Sequence, residues 1–397
     1  MDCGVGKKLE LLNREIAYAR AHSPFYSYLP RKPVRSMDDL KKIRRITADD
    51  LINNGEQMIC CSLTEVRRIV SLNTSGTTGK KKRIFFTDSD LGKTIDFFKN
   101  GMNCLMKGGE KCAIFMPGVQ PDGLCDLLST GIREFGGISS VFGAVKDYEA
   151  AETFLSREKP DVIVGIPTEM RRLSLIMKNR IDIWHPRRVL LSADYCSESL
   201  KETIKRSWNT EVYEHYGLTE SGLGCAVERP RERGMRVRGD MLLFTDENGE
   251  IILTTLDREA LPLICYRTGD LGEMESPNIL KVVYGRKGEL EKPVSSEKMD
   301  DLLFAEDTLL EYQAVITENG VLQVDVLPDY RKIIDFGLFQ NKILLKIKNR
   351  FPGQPVRIVE NRSGDFWDSD KRSVRCLRAE SDHEKGRIQM KERERLV

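Results

Sequence analysis

Short apolar runs alternate with amphipathic stretches through the first half of the chain. Four runs have the length and apolar content of buried strands: KCAIFMP (111–117), GISSVFG (137–143), DVIVGIP (161–167) and RRVLLSA (187–193). Apolar positions recur at helical spacing in five other stretches, 7–21, 122–135, 147–158, 168–179 and 197–208. Asp147 and Ser197 are the predicted N-caps of two of these helices. The alternation predicts βαβ units and a parallel sheet covered by helices on both faces.

The pattern changes at about residue 235, where hairpin signals replace the alternation. Asn248 and Gly249 stand between two apolar runs, which is a strong signal for a two-residue turn. A second such pair, Asn319 and Gly320, falls in a later segment that also contains a short helix, a longer helix and a last strand. The sequence therefore predicts a β-rich extension of the first unit, followed by an independent small α+β unit.

These patterns together predict an α/β fold with two domains. A large N-terminal domain, made of βαβ layers and a β-rich subdomain, should precede a small α+β C-terminal domain. The charged segment RKGELEK carries a glycine and is the predicted hinge, and the Arg-, Glu- and Lys-rich end is a predicted solvated tail. The predicted bounds are 1–285 for the large domain, 286–397 for the small domain, about 286–292 for the hinge and about 378–397 for the tail.

Composition excludes several classes of function. The chain has 397 residues with 63 Lys and Arg against 61 Asp and Glu, so we expect a small-molecule partner and no nucleic acid. Its ten cysteines form no CxxC pair, which argues against a disulfide scaffold or a zinc ribbon. No apolar run approaches the roughly 18 residues that span a membrane. We therefore expect a soluble, cytoplasmic protein with no membrane partner.

The segment LNTSGTTGKKKRIFFT (72–87) combines hydroxyl residues and glycines with three lysines and an arginine. Backbone N–H groups freed by glycine, short hydroxyls and cations can together hold phosphate oxygens. It is not a Walker A loop, because Gly76 and Gly79 are too close together and a second lysine follows Lys80. On its own, the segment fits a phosphate site and an ordinary turn between two strands equally well.

Three further motifs follow in order: YEHYGLTES (213–221), LPLICYRTGDL (261–271) and YGRKGE (284–289). Together with TSGTTGKKK (74–82), they resemble the signature set of the adenylate-forming superfamily, which contains acyl-CoA synthetases, luciferases and nonribosomal-peptide adenylation domains. The ARAHSPFY segment, the GDLGE string and the length look most like the phenylacetate–CoA ligase branch, which also includes LuxE-like acyl-protein synthetases and cofactor-adenylylating relatives. The resemblance covers nearly the whole chain and is strongest from about 66 to 290.

The resemblance implies a phosphate and metal site. Lys82 stands where the family usually places its loop lysine, Thr219 would bind the α-phosphate, and Glu220 would hold Mg²⁺. One carboxylate together with phosphates is an ordinary ligand set for that ion. The loop residues that would hold the β- and γ-phosphates are Thr74, Ser75, Gly76, Thr77, Thr78 and Gly79.

The resemblance also implies a nucleoside site. Tyr216 would lie against the adenine ring, Asp270 would accept hydrogen bonds from both ribose hydroxyls, and Arg286 would reach the ribose or the phosphates. Apart from the other motifs, Tyr216 fits a buried strand-end aromatic, and Asp194 fits the cap of the following helix. The full set of residues that the resemblance implies for the nucleotide is Ser192, Ala193, Asp194, Tyr216, Gly217, Asp270 and Arg286.

The match departs from the family pattern at the hinge and beyond it. Gly288 occupies a position where the family usually has an acidic residue, although glycine can absorb the φ/ψ change of a hinge. Lys371, in GDFWDSDKRSVRCL, is the best candidate for the catalytic lysine that the family carries on its small domain. An ordinary solvated lysine is the alternative at that position.

The activity that the resemblance implies is ATP-dependent activation of a carboxylic acid to an acyl-adenylate with release of pyrophosphate, followed by transfer to coenzyme A. The expected cofactors are ATP or AMP, Mg²⁺ and coenzyme A, and the expected substrate is a small-molecule carboxylic acid. Acyl transfer to a cysteine of an acceptor protein, or AMP transfer to a cofactor hydroxyl, is the nearest alternative. A non-catalytic nucleotide sensor and a P-loop phosphotransferase are alternatives of other classes.

Overall fold

The computed structural model describes residues 4–72, 81–178, 184–364, 366 and 375–376. Three helices and a two-stranded ribbon come first: α1 (Val5–His22), α2 (Met37–Lys41), α3 (Ala48–Asn54), β1 (Val66–Leu72) and β2 (Lys82–Thr87). In α1 the buried apolar residues Leu12, Ile16 and Ala19 share one face, as the spacing predicts. β1 and β2 pair antiparallel, with Leu72 opposite Lys82.

The alternation of strand and helix is confirmed in the next segment. Its elements are α4 (Asp88–Leu105), β3 (Lys111–Phe115), α5 (Leu124–Glu134), β4 (Ile138–Val141), α6 (Tyr148–Glu158), β5 (Val162–Gly165), α7 (Pro167–Ile176), β6 (Arg188–Leu191), α8 (Glu198–Trp208) and β7 (Glu211–Tyr216). The five strands pair in parallel in the order β4-β3-β5-β6-β7. Both predicted N-caps are confirmed, because the Asp147 carboxylate accepts from the first turn of α6 and the Ser197 hydroxyl from that of α8.

The β-rich segment continues the same sheet in antiparallel fashion. Its strands are β8 (Ala226–Glu228), β9 (Met235–Val237), β10 (Met241–Thr245), β11 (Glu250–Thr255), β12 (Tyr266–Ser276) and β13 (Ile279–Arg286). They extend the sheet to eleven strands in the order β10-β11-β12-β13-β9-β8-β7-β6-β5-β3-β4. The hairpin predicted at Asn248 and Gly249 joins β10 to β11, but the connection is longer than the predicted two-residue turn. It spans 246–249, and Gly249, which has a positive φ, donates its backbone N–H to the oxygen of Asp246 over 3.1 Å. The sheet changes from parallel to antiparallel at β7.

A second, four-stranded sheet follows. The elements of this unit are α9 (Lys287–Leu290), α10 (Ser296–Leu303), β14 (Leu309–Ile316), β15 (Leu322–Pro328), α11 (Phe336–Arg350), β16 (Val356–Glu360) and β17 (Arg375–Cys376), with strand order β16-β15-β14-β17. β14 and β15 form the hairpin predicted at Asn319 and Gly320. The boundary between the two proposed domains remains a prediction.

The second sheet packs closely on the first part of the chain. Trp208 of α8 and Phe304, which follows α10, belong to one continuous buried cluster that crosses between the two sheets. The buried Arg171 of α7 donates hydrogen bonds to the backbone oxygens of Glu306 and Leu309, both at 2.9 Å. The small unit therefore shares a core with α7 and α8, whereas the sequence predicts an independent unit. Within the described residues, no helix combines the length and the apolar character that crossing a membrane requires.

Candidate active site

Polar side chains meet where the parallel half of the large sheet joins the antiparallel half. Tyr216 ends β7, and Glu220 lies in the short 3₁₀ helix that follows it. Asp270 of β12 is paired in register with Arg286, the last residue of β13. The sheet therefore brings together residues that are far apart in sequence, from three of the four motifs.

Two of the predicted nucleotide residues hold the Asp270 carboxylate. The Tyr216 hydroxyl donates to Oδ2 over 2.8 Å, and the half-exposed Arg286 pairs with Oδ1 through Nε at 2.8 Å. Tyr216 is buried, and this burial, with the nearby Asp270 charge, raises its pKa well above the ordinary value. Its hydroxyl therefore remains a donor at neutral pH, and Asp270 is oriented by a donor on each of its oxygens.

The Glu220 carboxylate is held in a comparable way. Lys82, at the start of β2, forms an ion pair with Oε1, and the Tyr266 hydroxyl donates to the same oxygen over 2.9 Å. Burial by itself would raise the pKa of Glu220, but the Lys82 charge and the hydrogen bonds outweigh it, so the pKa lies below the ordinary value. Glu220 is therefore an ionised carboxylate in a largely buried position.

Tyr266 is a site residue that sequence reasoning missed. It begins β12, and the alternating burial of this strand places Tyr266, Thr268 and Asp270 on one face. The sequence feature that could have identified it is its position four residues before Asp270. In a strand this spacing places both side chains on the same face, so the feature indicates a site residue only if the segment is known to be a strand.

The turn after β7 explains why Gly217 and Thr219 occupy their positions. A Cβ at Gly217 would lie 2.3 Å from the backbone oxygen of Leu223, so no larger residue fits there. Thr219 begins the 3₁₀ helix and accepts a backbone hydrogen bond from Gly222, whose φ is +79°. This tight turn sets Thr219 and Glu220 directly behind the end of β7.

Ser192, Ala193 and Asp194 form the connection between β6 and α8. The Ser192 hydroxyl lies 2.7 Å from Nδ1 of His215 on the neighbouring strand β7. Ala193 has a φ of +79°, which is unusual for a residue with a side chain. Asp194 does not cap α8, because Ser197 does, so that alternative is wrong.

An apolar cavity of about 30 Å³ lies on the other side of the β7 end. His215 and Ser192 are its polar lining residues, and Nε2 of His215 is shielded from solvent with no hydrogen-bond partner among the described residues. Burial lowers the pKa of His215 to about 4, so the ring is neutral at physiological pH. The apolar lining comes from Phe97, Phe98, Gly101, Met102, Met116, Leu124, Leu128, Val164, Leu190 and Val227.

The part of the chain that the structure describes contains no cluster of three or more residues suited to hold a metal ion. Seven predicted site residues lie outside the described residues: Thr74, Ser75, Gly76, Thr77, Thr78, Gly79 and Lys371.

Part of the chain matches a known family and known relatives. Residues 69–241 match the AMP-binding enzyme family. The chain is 25% identical over 294 residues to a phenylacetate-coenzyme A ligase from Thermus thermophilus, and 24% identical over 268 residues to one from Escherichia coli. These matches cover 66% and 60% of this chain but 64% and 58% of the relatives, so the chain spans less than two thirds of their length.

A solved structure supports the fold along almost the entire chain. A 2-hydroxyisobutyryl-CoA ligase in the postadenylation state superposes with a TM-score of 0.77, covering 97% of this chain and 92% of that one at 16% identity. Residues 69–241 thus match the AMP-binding enzyme family, and the chain is similar in sequence to phenylacetate–CoA ligases and in fold to this 2-hydroxyisobutyryl-CoA ligase.

Proposed function

We propose that this chain is an ATP-dependent ligase that converts a carboxylic acid into an acyl-adenylate with release of pyrophosphate, and then transfers the acyl group to coenzyme A. The observation that supports this most strongly is the ionised Glu220, held by Lys82 and Tyr266 beside the Tyr216–Asp270–Arg286 group. A nucleotide needs both a place for its phosphate charge and acceptors for its ribose. The two groups of residues offer these functions side by side.

In this proposal the Asp270 group binds the nucleoside. The Asp270 carboxylate accepts hydrogen bonds from the ribose hydroxyls, and Tyr216 lies against the adenine ring. By the resemblance, the segment 193–194 would border the same position, whereas the Ser192 hydroxyl contacts His215 in the lining of the apolar cavity. The ribose would share Asp270 with Tyr216 and Arg286, which already fix the orientation of its carboxylate. A preoriented acceptor costs little reorganisation when the ligand binds.

In this proposal Glu220 and the residues around it bind the phosphates. Glu220 would hold Mg²⁺ together with phosphate oxygens, and the ion would offset the negative charge that gathers as the acid attacks the α-phosphorus. Lys82, which pairs with Glu220 in this structure, is a cation that the phosphates can also recruit. The loop 74–79, Thr219 and Lys371 complete the proposed phosphate site.

The acyl group of the substrate would lie in the apolar cavity on the opposite side of β7. His215 and Tyr216 are consecutive on this strand, so their side chains point to opposite faces. His215 lines the cavity, and Tyr216 belongs to the polar group. The bond between the acid and the nucleotide would therefore form near the end of β7, next to Thr219.

Pyrophosphate release from ATP and Mg²⁺ tests the proposal, measured against a panel of aliphatic and aromatic acids with and without coenzyme A. We expect acid-dependent release that coenzyme A accelerates, with formation of a thioester. AMP release that depends on an added acceptor protein and not on coenzyme A would instead support acyl transfer to a protein cysteine, and pyrophosphate release with AMP retained on an added cofactor would support AMP transfer to a hydroxyl. ATP binding with no release for any acid would contradict the proposed activity.

A further inference from the structure

Gly101 is an unusual residue in the wall of the apolar cavity. It lies inside α4, and glycine is less favourable than alanine in a helix interior. Its backbone does not require glycine, because its φ is not in the positive range. A Cβ at this position would meet Cγ1 of Val227 at 3.4 Å, an ordinary contact distance. Neither helix geometry nor close packing therefore requires glycine at position 101. A glycine there does leave space free in the cavity that a side chain would fill.

Two other glycines show what the alternatives look like. At Gly131 in α5, a Cβ would lie 2.8 Å from the backbone nitrogen of Lys99, so close packing of α4 against α5 explains that glycine. At Gly92, also in α4, a Cβ would have no atom within 4 Å, and this position does not line the cavity. Of these three, Gly101 is the one that borders the cavity.

The cavity selects against charge and against length. None of the described lining residues carries a formal charge, and His215 is neutral, so a charged acyl group would be buried without a counter-charge. A volume of about 30 Å³ corresponds to roughly two or three water-sized groups, at about 10–15 Å³ for each. Gly101 and Val227 approach each other across the lining, and a larger side chain at either position would shorten the space.

We propose that the cavity binds the acyl group of a short, uncharged aliphatic acid of about three or four carbons, which are the carboxyl carbon and the two or three groups of the volume estimate above, and that Gly101 and Val227 set the permitted length. This inference rests on the proposed function, because it takes the substrate of the same site to be a carboxylic acid. It adds the class of acid and two residues that determine specificity.

The test measures binding, so it does not depend on turnover. The probes are 5′-O-(N-acylsulfamoyl)adenosines with acetyl, propionyl, butyryl, pentanoyl, octanoyl and phenylacetyl groups, and their Kd values are measured for wild type, Gly101→Ala, Gly101→Val and Gly92→Ala. For wild type we expect the tightest binding for propionyl or butyryl, with octanoyl and phenylacetyl at least about tenfold weaker. Gly101→Val should weaken the pentanoyl probe at least about tenfold and the acetyl probe far less. Gly92→Ala should leave the series unchanged.

A second measurement separates loss of space from misfolding. Both alanine variants should melt at or above the wild-type temperature, because alanine favours the helix, and all variants should keep the wild-type Kd for AMP. Tightest binding of the octanoyl or phenylacetyl probe to wild type would overturn the inference. The same conclusion would follow if a folded Gly101→Val protein kept the wild-type length profile. Absence of acid-dependent pyrophosphate release would contradict the proposed function. The Kd values would still test the length preference of the cavity, because they do not depend on turnover.

Discussion

The two neighbouring residues at the end of β7 lie in surroundings of opposite chemistry. Tyr216 contacts a carboxylate that also pairs with an arginine, close to a second carboxylate that pairs with a lysine. His215 faces a cavity whose lining includes no charged side chain. A buried charge is stabilised on the first side, because each carboxylate has donors or an opposite charge next to it. It is destabilised on the second side, because none of the described lining residues there carries an opposite charge. One strand end can therefore separate a charged ligand part from an apolar one.

The largest expected effect on the polar side comes from Glu220→Gln. The change keeps the shape but removes the negative charge that Lys82 faces and that the proposed Mg²⁺ requires. Acid-dependent pyrophosphate release should fall by roughly 10²- to 10³-fold. The matched control is Glu273→Gln, which removes a surface ion pair with Lys281 on the same sheet and should keep wild-type rates. Equal activity of both variants would exclude Glu220 from the phosphate site.

A smaller effect is expected from Asp270→Asn. The amide keeps one acceptor oxygen but loses the charge that strengthens its hydrogen bonds, so the KM for ATP should rise by roughly 10- to 100-fold. The KM for the acid should change little, because Asp270 lies on the polar side of β7. Tyr216→Phe should cost only a few-fold, with Tyr284→Phe as a surface control. A larger change in the KM for the acid than in that for ATP would contradict the division of the site.

On the apolar side, the prediction concerns stability and pH. The folded state holds the pKa of His215 at about 4, below the ordinary value of 6.5, so the unfolded chain binds more protons between these pH values. The contribution of the neutral His215 to the free energy of unfolding is complete above pH 6.5 and is lost as the pH falls towards 4. Between pH 7.5 and 5.0 it should reduce the free energy of unfolding by about 2 kcal/mol.

Urea unfolding at both pH values measures this contribution. His215→Gln should unfold with a free energy that depends less on pH than that of wild type, by that same amount. The exposed His22→Gln should behave like wild type. An unchanged pH dependence in His215→Gln would show that His215 does not face an apolar environment.

The smallest expected effect is that of Tyr266→Phe. The hydroxyl donates to Glu220 and so helps to keep its pKa low, and its loss should raise that pKa. The acid limb of the pH profile of kcat/KM should move to higher pH by about half a unit to one unit. An acid limb that stays in place would mean that Lys82 alone controls the ionisation of Glu220.

The sequence predicts the parts of the molecule that depend on local signals. Strand and helix alternation, the caps at Asp147 and Ser197, and the hairpins at Asn248 and Asn319 all follow from periodicity or turn chemistry within a short segment. The resemblance also selects Tyr216, Glu220, Asp270 and Arg286, and the sheet brings these residues together. Three of the four motifs include residues of strands of the large sheet, namely β7, β12 and β13, whereas the first motif lies in sequence between β1 and the start of β2, the two strands of the separate ribbon.

What the sequence does not predict depends on packing between distant elements. Phe97, Gly101 and Met102 follow the helical period of α4. The period predicts that this face of the helix is buried, but it does not predict that the face borders a cavity. Arg171 is one of many arginines in the sequence, and only the fold shows that its guanidinium joins α7 to the second sheet. For the same reason, a shared core was not apparent from the separate patterns of the two units.

The most direct test of the division at β7 is a crystal structure of the protein with butyrylsulfamoyl adenosine. We predict that the ribose hydroxyls contact Asp270, that the sulfamoyl group lies next to Thr219, and that the butyryl chain enters the cavity between His215 and Gly101. A ligand whose acyl chain lies on the Tyr216 side of β7, or whose ribose does not reach Asp270, would contradict this account.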